Sequence, residues 1–217
     1  TEMLFIQRSD PEKAIWTGTR MSREEAAKIS GLDLVKIHYL DEFLEILSAY
    51  CPIISKIWAN IGIQELDKPP SRQLFKLSPI RKRYPNIIIE SIETLITPFR
   101  KVKEDWELQQ LQRAIDITGK AIMDVLEKAE PAMMEYELEA IMFYRLQRMG
   151  VKQWGFAPIV GSGINAATLH YEKNECQIEN GEVVLMDVGA SYFNYSADIT
   201  RCFPISGTFS ERQKQVY

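Results

Sequence analysis

The sequence predicts an α+β chain in two parts. A small α/β unit is expected over residues 1–97, and a helical, then β-stranded, unit over 98–217. Three observations carry this. Short β-prone runs alternate with short helical stretches as far as Ile89. The rhythm breaks at Thr97-Pro98-Phe99-Arg100-Lys101-Val102-Lys103. Two amphipathic helices with apolar residues at helical spacing then precede a series of strand-like segments.

Taken in order, Met3 to Ile6 is a short apolar strand, Asp10-Pro11 a turn, and Ile15-Trp16-Thr17-Gly18 a further strand ending. Ser22-Arg23-Glu24-Glu25 is a capping box that opens a helix ending near Gly31. Val35 to Tyr39 alternates like an edge strand, and Asp41 caps a helix carrying Phe43, Leu44, Ile46 and Leu47. Ile53 to Ala59 and Ile87-Ile88-Ile89 are further β-prone runs. A long helix starts at Glu104, with Leu108, Leu111, Ile115, Ile122, Val125 and Leu126 on one face, and Pro131 stops it. The next helix holds Tyr136, Leu138, Ile141, Phe143, Tyr144 and Leu146 and ends at Gly150. These stripes read as core. Gly155 to Val160 and Thr168 to Tyr171 are strand-like.

Composition excludes several function classes. Apolar content of 46% and charged content of 26% are ordinary for a globular chain. A net charge of -4 leaves no basic footprint for nucleic acid. The one basic cluster, Arg81-Lys82-Arg83, precedes Tyr84-Pro85 and reads as a solvated turn. No apolar run reaches the ~20 residues of a membrane span. Cys51, Cys176 and Cys202 are odd in number and far apart, which suits a reducing compartment, hence the cytoplasm. The chain begins at Thr1 and closes on a capped helix start, Ser210 to Tyr217, so it is expected to be an internal piece of a longer protein.

Asp187 and Asp198 are the most informative residues. Val183 to Val188 and Tyr195 to Phe203 read as the arms of a hairpin, with Gly189, Ser191 and Asn194 between them. The two aspartates are symmetric about Tyr192-Phe193, so an unbulged hairpin turning there would set them face to face. Opposed like charges repel, and a cation between them removes the conflict. A carboxylate at a strand end usually meets water at a turn. Here both lie inside apolar runs, Met186-Asp187-Val188 and Ala197-Asp198-Ile199, where unpaired burial is costly. The glycine-rich run Ile159 to Ala166 lacks the Lys and Ser/Thr of a phosphate loop and reads as a tight connection. His170 stands shortly before the acidic hairpin and could move protons or hold a developing oxyanion. His38 has no such context and reads as structural.

The stretches EDWELQQLQRAIDITGKA, MMEYELEA, GSGINAATLHYEKN, VVLMDVGASYFNYSADITRCFPISG and FSERQKQVY together resemble the first half of the pita-bread metallopeptidase domain, specifically aminopeptidase P. LFIQRSDPEKAIWTGTRM resembles the rear part of that family's creatinase-like N-terminal domain. The resemblance implies two divalent metal ions, manganese first, with cobalt, zinc or iron as substitutes. Asp187 would chelate one ion and Asp198 bridge both. A hydroxide between the metals would attack the scissile carbonyl of a peptide with proline in second position. His170 would contact substrate and assist the tetrahedral intermediate. The family completes its site with a further histidine and two glutamates beyond the hairpin, so residues 1–217 hold part of a site. Metal binding and catalysis by this piece alone are expected to be poor. A homo-oligomer is expected for the full-length protein, and no nucleic acid or membrane partner. Prolidase, which takes dipeptides only, a creatinase-like hydrolase and an inactive pita-bread binding protein are the alternatives. Retention of both aspartates and His170 argues against the last.

Overall fold

The computed structural model describes residues 2–62 and 67–217. The chain divides into two compact units, Thr1–Lys101 and Val102–Tyr217.

The first unit runs β1 (Leu4–Ile6), α1 (Pro11–Thr17), α2 (Arg23–Ser30), β2 (Ile37–Tyr39), α3 (Phe43–Tyr50), β3 (Lys56–Ala59), α4 (Arg72–Arg83), β4 (Ile88–Ser91) and α5 (Glu93–Lys101). Its strands form two parallel pairs, β1 with β2 and β3 with β4. Parallel neighbours need crossover connections, and the intervening helices supply them. Ser22 and Glu25 cap α2 reciprocally, and Gly31 closes it in the left-handed conformation. Cys51, Ile80 and Ile87 form a small core with Leu47, Ile54, Ile57 and Tyr84 packed against it.

Several local expectations change in this unit. Ile15-Trp16-Thr17-Gly18 ends a helix, not a strand. Asp10 accepts hydrogen bonds from the Glu12 and Lys13 N–H groups, and Pro11 occupies the first helical position, where its missing N–H costs nothing. Val35 lies in a short 3₁₀ turn that precedes the strand Ile37–Tyr39. Asp41 does not cap α3; its carboxylate pairs with Arg8 at 3.0 Å. Arg81-Lys82-Arg83 forms the last turn of α4, where cations meet the negative end of the helix dipole. The break expected near Thr97 falls inside α5, which carries Pro98 in its interior.

The second unit runs α6 (Asp105–Lys128), α7 (Glu135–Arg148), β5 (Ile159–Ser162), β6 (Val183–Val188), β7 (Ser191–Tyr192), β8 (Tyr195–Ser196), β9 (Ile199–Pro204) and α8 (Glu211–Val216). β6 lies between β5 and β9, antiparallel to both. The core joins Ile117, Ile122 and Val125 of α6, Leu138, Met142 and Leu146 of α7, and Val160, Val184, Met186 and Val188 of the sheet. Burial of each such side chain stabilises by roughly 1.5–3 kcal/mol before entropic costs. No helix among the described residues is long and apolar enough to cross a membrane.

The buried face of α6 differs from the one its large residues mark. Ala114, Ile117, Thr118, Ala121, Ile122 and Val125 are buried, whereas Leu108, Ile115 and Leu126 are exposed. Small residues let the helix approach closely, and Thr118 is consumed internally: its hydroxyl donates to the Ala114 carbonyl at 2.8 Å and accepts from the Ala190 N–H at 3.0 Å. On α7, Tyr136 and Tyr144 of the expected stripe face water. The segment after β5 is not a strand through Tyr171. A 3₁₀ turn over Gly163–Ala167 leads into a tight turn at Leu169 and His170.

Candidate active site

The alternation of β6 places Asp187. Val184, Met186 and Val188 are buried against the helices, so Val183, Leu185 and Asp187 occupy the opposite face, all half-buried. The hairpin turns at Phe193 and Asn194, whose φ values are 48° and 65°. Positive φ at both central positions defines a two-residue turn that matches strand twist, and Asn tolerates it well. Tyr192 therefore pairs with Tyr195, and further down Asp187 pairs with Thr200.

The two aspartates are thus not directly opposed, as symmetry about Tyr192-Phe193 predicts. The turn sits one residue later, and Asp198 moves to a diagonal position two residues from the partner of Asp187. A shift of two keeps the face, whereas a shift of one would have reversed it. Between the paired segments Gly189, Ala190, Ala197 and Asp198 leave the regular ladder. The Gly189 carbonyl accepts from the Gly155 N–H, while the Ala197 N–H donates to the Ala190 carbonyl.

The carboxylates meet. Partial desolvation, then the charge of Asp187 and a hydrogen bond with it, hold the Asp198 carboxyl above the usual carboxylate range, although the residue as a whole is exposed. Asp187 Oδ1 is buried without a hydrogen-bond partner. A buried acceptor left bare beside a second carboxyl is an unfavourable arrangement that a hard cation would satisfy. The donor set is all oxygen. No group of three or more metal-ligating side chains occurs among the described residues, so this chain supplies two ligands to any such ion.

Gly189, between the two aspartates, has no room for a side chain. A Cβ there would collide with the Ala197 carbonyl and press the Phe156 ring at 3.0 Å. Gly189→Ala should destabilise the fold by about 1–3 kcal/mol and displace Asp198 through its neighbour Ala197. Thermal denaturation and metal titration of the full-length variant check this. An unchanged midpoint with unchanged metal affinity would show that the strand can yield.

His170 is exposed, sits in the left-handed conformation with φ of 53°, and bonds to neither aspartate among the described residues. Its loop is held by a residue that lies in the MMEYELEA stretch but that the resemblance leaves without a role. Glu135, in the first turn of α7, is fully buried. Its Oε1 accepts from the Ser162 N–H (2.7 Å), the Ser162 hydroxyl (3.0 Å) and Asn165 Nδ2 (3.2 Å). Its Oε2 accepts from the Tyr171 hydroxyl (2.8 Å) and the Cys176 N–H (3.0 Å). Burial alone would push this carboxyl up. The Cys176 and Ser162 N–H groups, then Tyr171 and Asn165, outweigh it, and Glu135 lies below the ordinary glutamate range. The Tyr171 phenol is held above its ordinary value by burial, then Cys176 and Glu135, so it remains a donor. The sequence carries one signal: Glu135, Leu138, Met142 and Leu146 share a helical face, and a carboxylate heading an apolar stripe needs partners.

A hairpin that gathers two carboxylates, one of them with a bare buried oxygen, is an arrangement suited to a hard cation. The model of metallopeptidase family M24 matches residues 109–217, and the chain belongs to that family. The aminopeptidase P N-terminal domain matches residues 1–57. Xaa-Pro aminopeptidase from Escherichia coli K12 is 30% identical over 99% of this chain and 49% of its own length. Among solved structures, one described as a putative aminopeptidase P from Bacillus anthracis superposes with a TM-score of 0.89 at 39% identity, over 98% of this chain and 51% of that one. The E. coli aminopeptidase P structure gives 0.82 at 29% identity, over 98% and 48%; that enzyme is also solved with the inhibitor Pro-Leu. The chain spans about half the length of the relatives it matches.

Proposed function

We propose that the full-length protein is a metal-dependent aminopeptidase that hydrolyses the bond between an N-terminal residue and a following proline. The observation that carries this reading is the Asp187–Asp198 pair, with its bare buried oxygen, inside an M24 chain. The E. coli neighbour's binding of Pro-Leu supports the proline preference, since that dipeptide resembles the product released from cleavage before proline.

Asp187 and Asp198 would hold two divalent ions, with manganese favoured because hard oxygen donors suit it. When bound, such ions lower the pKa of water and polarise a carbonyl oxygen. The chain's own residues do the rest. Asp187 is fixed by its strand pairing, so its carboxylate needs little reorganisation. His170 is exposed and can donate a hydrogen bond to the oxygen that gains charge as the scissile carbonyl becomes tetrahedral. Cytoplasmic location and homo-oligomerisation belong to the same proposal, the former on the three unpaired cysteines. Fractionation and light scattering of the native protein test them.

The decisive experiment is His170→Ala in the full-length protein, assayed on Xaa-Pro peptides of two to five residues with manganese. Metal content should stay at the wild-type level while kcat falls by about 10²–10³, the cost of losing one oxyanion donor. Cleavage confined to dipeptides would move the assignment to prolidase. Loss of metal, or an unchanged kcat, would show that His170 does not stabilise the tetrahedral centre.

A further inference from the structure

His170 occupies an unusual backbone state for a residue with a side chain, and among the described residues no hydrogen bond of its own side chain holds it there. A left-handed non-glycine residue persists only where its surroundings over-determine it. The surroundings are two buried polar side chains. Glu135 gathers the loop at Ser162, Asn165, Tyr171 and Cys176, on both sides of His170. Asn174, itself 2% exposed and left-handed, accepts from the Val160 N–H at 2.9 Å and donates to Glu139 at 2.9 Å and to the Pro158 carbonyl at 3.0 Å. Glu135 and Glu139 lie one helical turn apart on α7, so the rigid helix serves as the common anchor.

The Glu135 contacts are charge-assisted, and such bonds are about twice as strong as neutral ones. One of them comes from Tyr171, the residue directly after His170, whose hydroxyl also accepts from Asn165 Nδ2 at 3.1 Å. The loop between Asn165 and Tyr171 is therefore closed on itself through a single carboxylate. We infer that Glu135 is a positioning residue for His170: its buried carboxylate fixes the loop geometry that sets where the imidazole stands. This rests on the proposed role of His170 in turnover. Glu135 is fully buried and both its oxygens are taken by loop donors, so it acts through the loop.

The test uses the full-length protein and Glu135→Gln, which keeps the side-chain size but places an amide donor where one of two acceptor oxygens stood. Metal content and KM should hold near wild type, kcat should fall about tenfold, and amide exchange across 163–176 should accelerate. In a His170→Ala background the same change should alter kcat by less than about twofold, because a residue acting through His170 has nothing left to position. Glu135→Asp, which keeps the charge, should recover part of the loss. If Glu135→Gln fails to fold, Tyr171→Phe keeps the carboxylate but removes the hydroxyl that bonds it, together with that hydroxyl's contacts to Asn165 and Cys176; it should lower kcat about fivefold, with the same silence in the His170→Ala background. An equal loss of kcat with and without His170, or unchanged exchange across 163–176, would overturn the inference. Absence of Xaa-Pro turnover in the wild type would sink the proposed function, while the exchange measurement would still report whether Glu135 holds the loop.

Discussion

Asp187→Asn in the full-length protein should abolish Xaa-Pro turnover, by well over a hundredfold, while raising the thermal midpoint of the metal-free protein. The activity loss follows from removing a ligand outright, since disturbing only the groups behind a ligand already costs about 10–100-fold. The gain in stability follows from the same geometry. Asp187 Oδ1 is buried and bare, and Asp187 raises the pKa of Asp198 by charge and hydrogen bond. Asparagine removes one of the two like charges and brings an N–H that can donate to the Asp198 carboxylate. A site that resists its own apo state is the familiar cost of function to stability. Asp198→Ala should lose turnover with its metal in parallel. Metal analysis, peptide assay and melting in chelator on one preparation check all three statements. Full metal occupancy in the Asp187→Asn protein would remove it from the ligand set, and a lowered midpoint in chelator would show the carboxylate to be stabilising without metal.

The second large effect is on stability. Glu135→Ala leaves the buried N–H and hydroxyl of Ser162, and the partly buried Cys176 N–H, Tyr171 hydroxyl and Asn165 amide, without this acceptor. Each unsatisfied buried donor costs about 1–3 kcal/mol, so the total should reach at least about 3 kcal/mol even if water enters. Urea denaturation near neutral pH measures it. The effect has a pH signature with a definite sign. Glu135 has a depressed folded-state pKa, so the unfolded chain binds its proton more readily. Its stabilisation is complete above the ordinary glutamate pKa and is lost as pH falls through the depressed folded value. The stability gap between wild type and Glu135→Gln should therefore stay constant from neutral pH down to that range and narrow below it. A gap that widened on acidification would mean that Glu135 is held protonated in the native state.

The sequence by itself determined the pieces with strong local or covalent signals. Ser22 with Glu25 specified an α2 start, and Gly31 its end, because caps act within one turn of chain. The β-prone apolar run Val183 to Val188 specified a strand carrying Asp187, because such residues favour extended backbone, while which face of that strand is buried was left to the packing. The motif set around LHY, LMDVGA and SADITR identified the family that the match over 109–217 bears out. What the tertiary structure decided involves partners distant along the chain. The hairpin register follows from positive φ at Phe193 and Asn194, and Phe193 gives no sequence signal for such a turn. The buried face of α6 follows from how closely Ala114, Thr118 and Ala121 let it approach its neighbours, which large-residue periodicity cannot register. Glu135 depends on donors 27 to 41 residues away. A carboxylate in a helix reads as solvated until the fold brings N–H groups to it, because its burial is tolerable only with those bonds made, and only three-dimensional packing makes them.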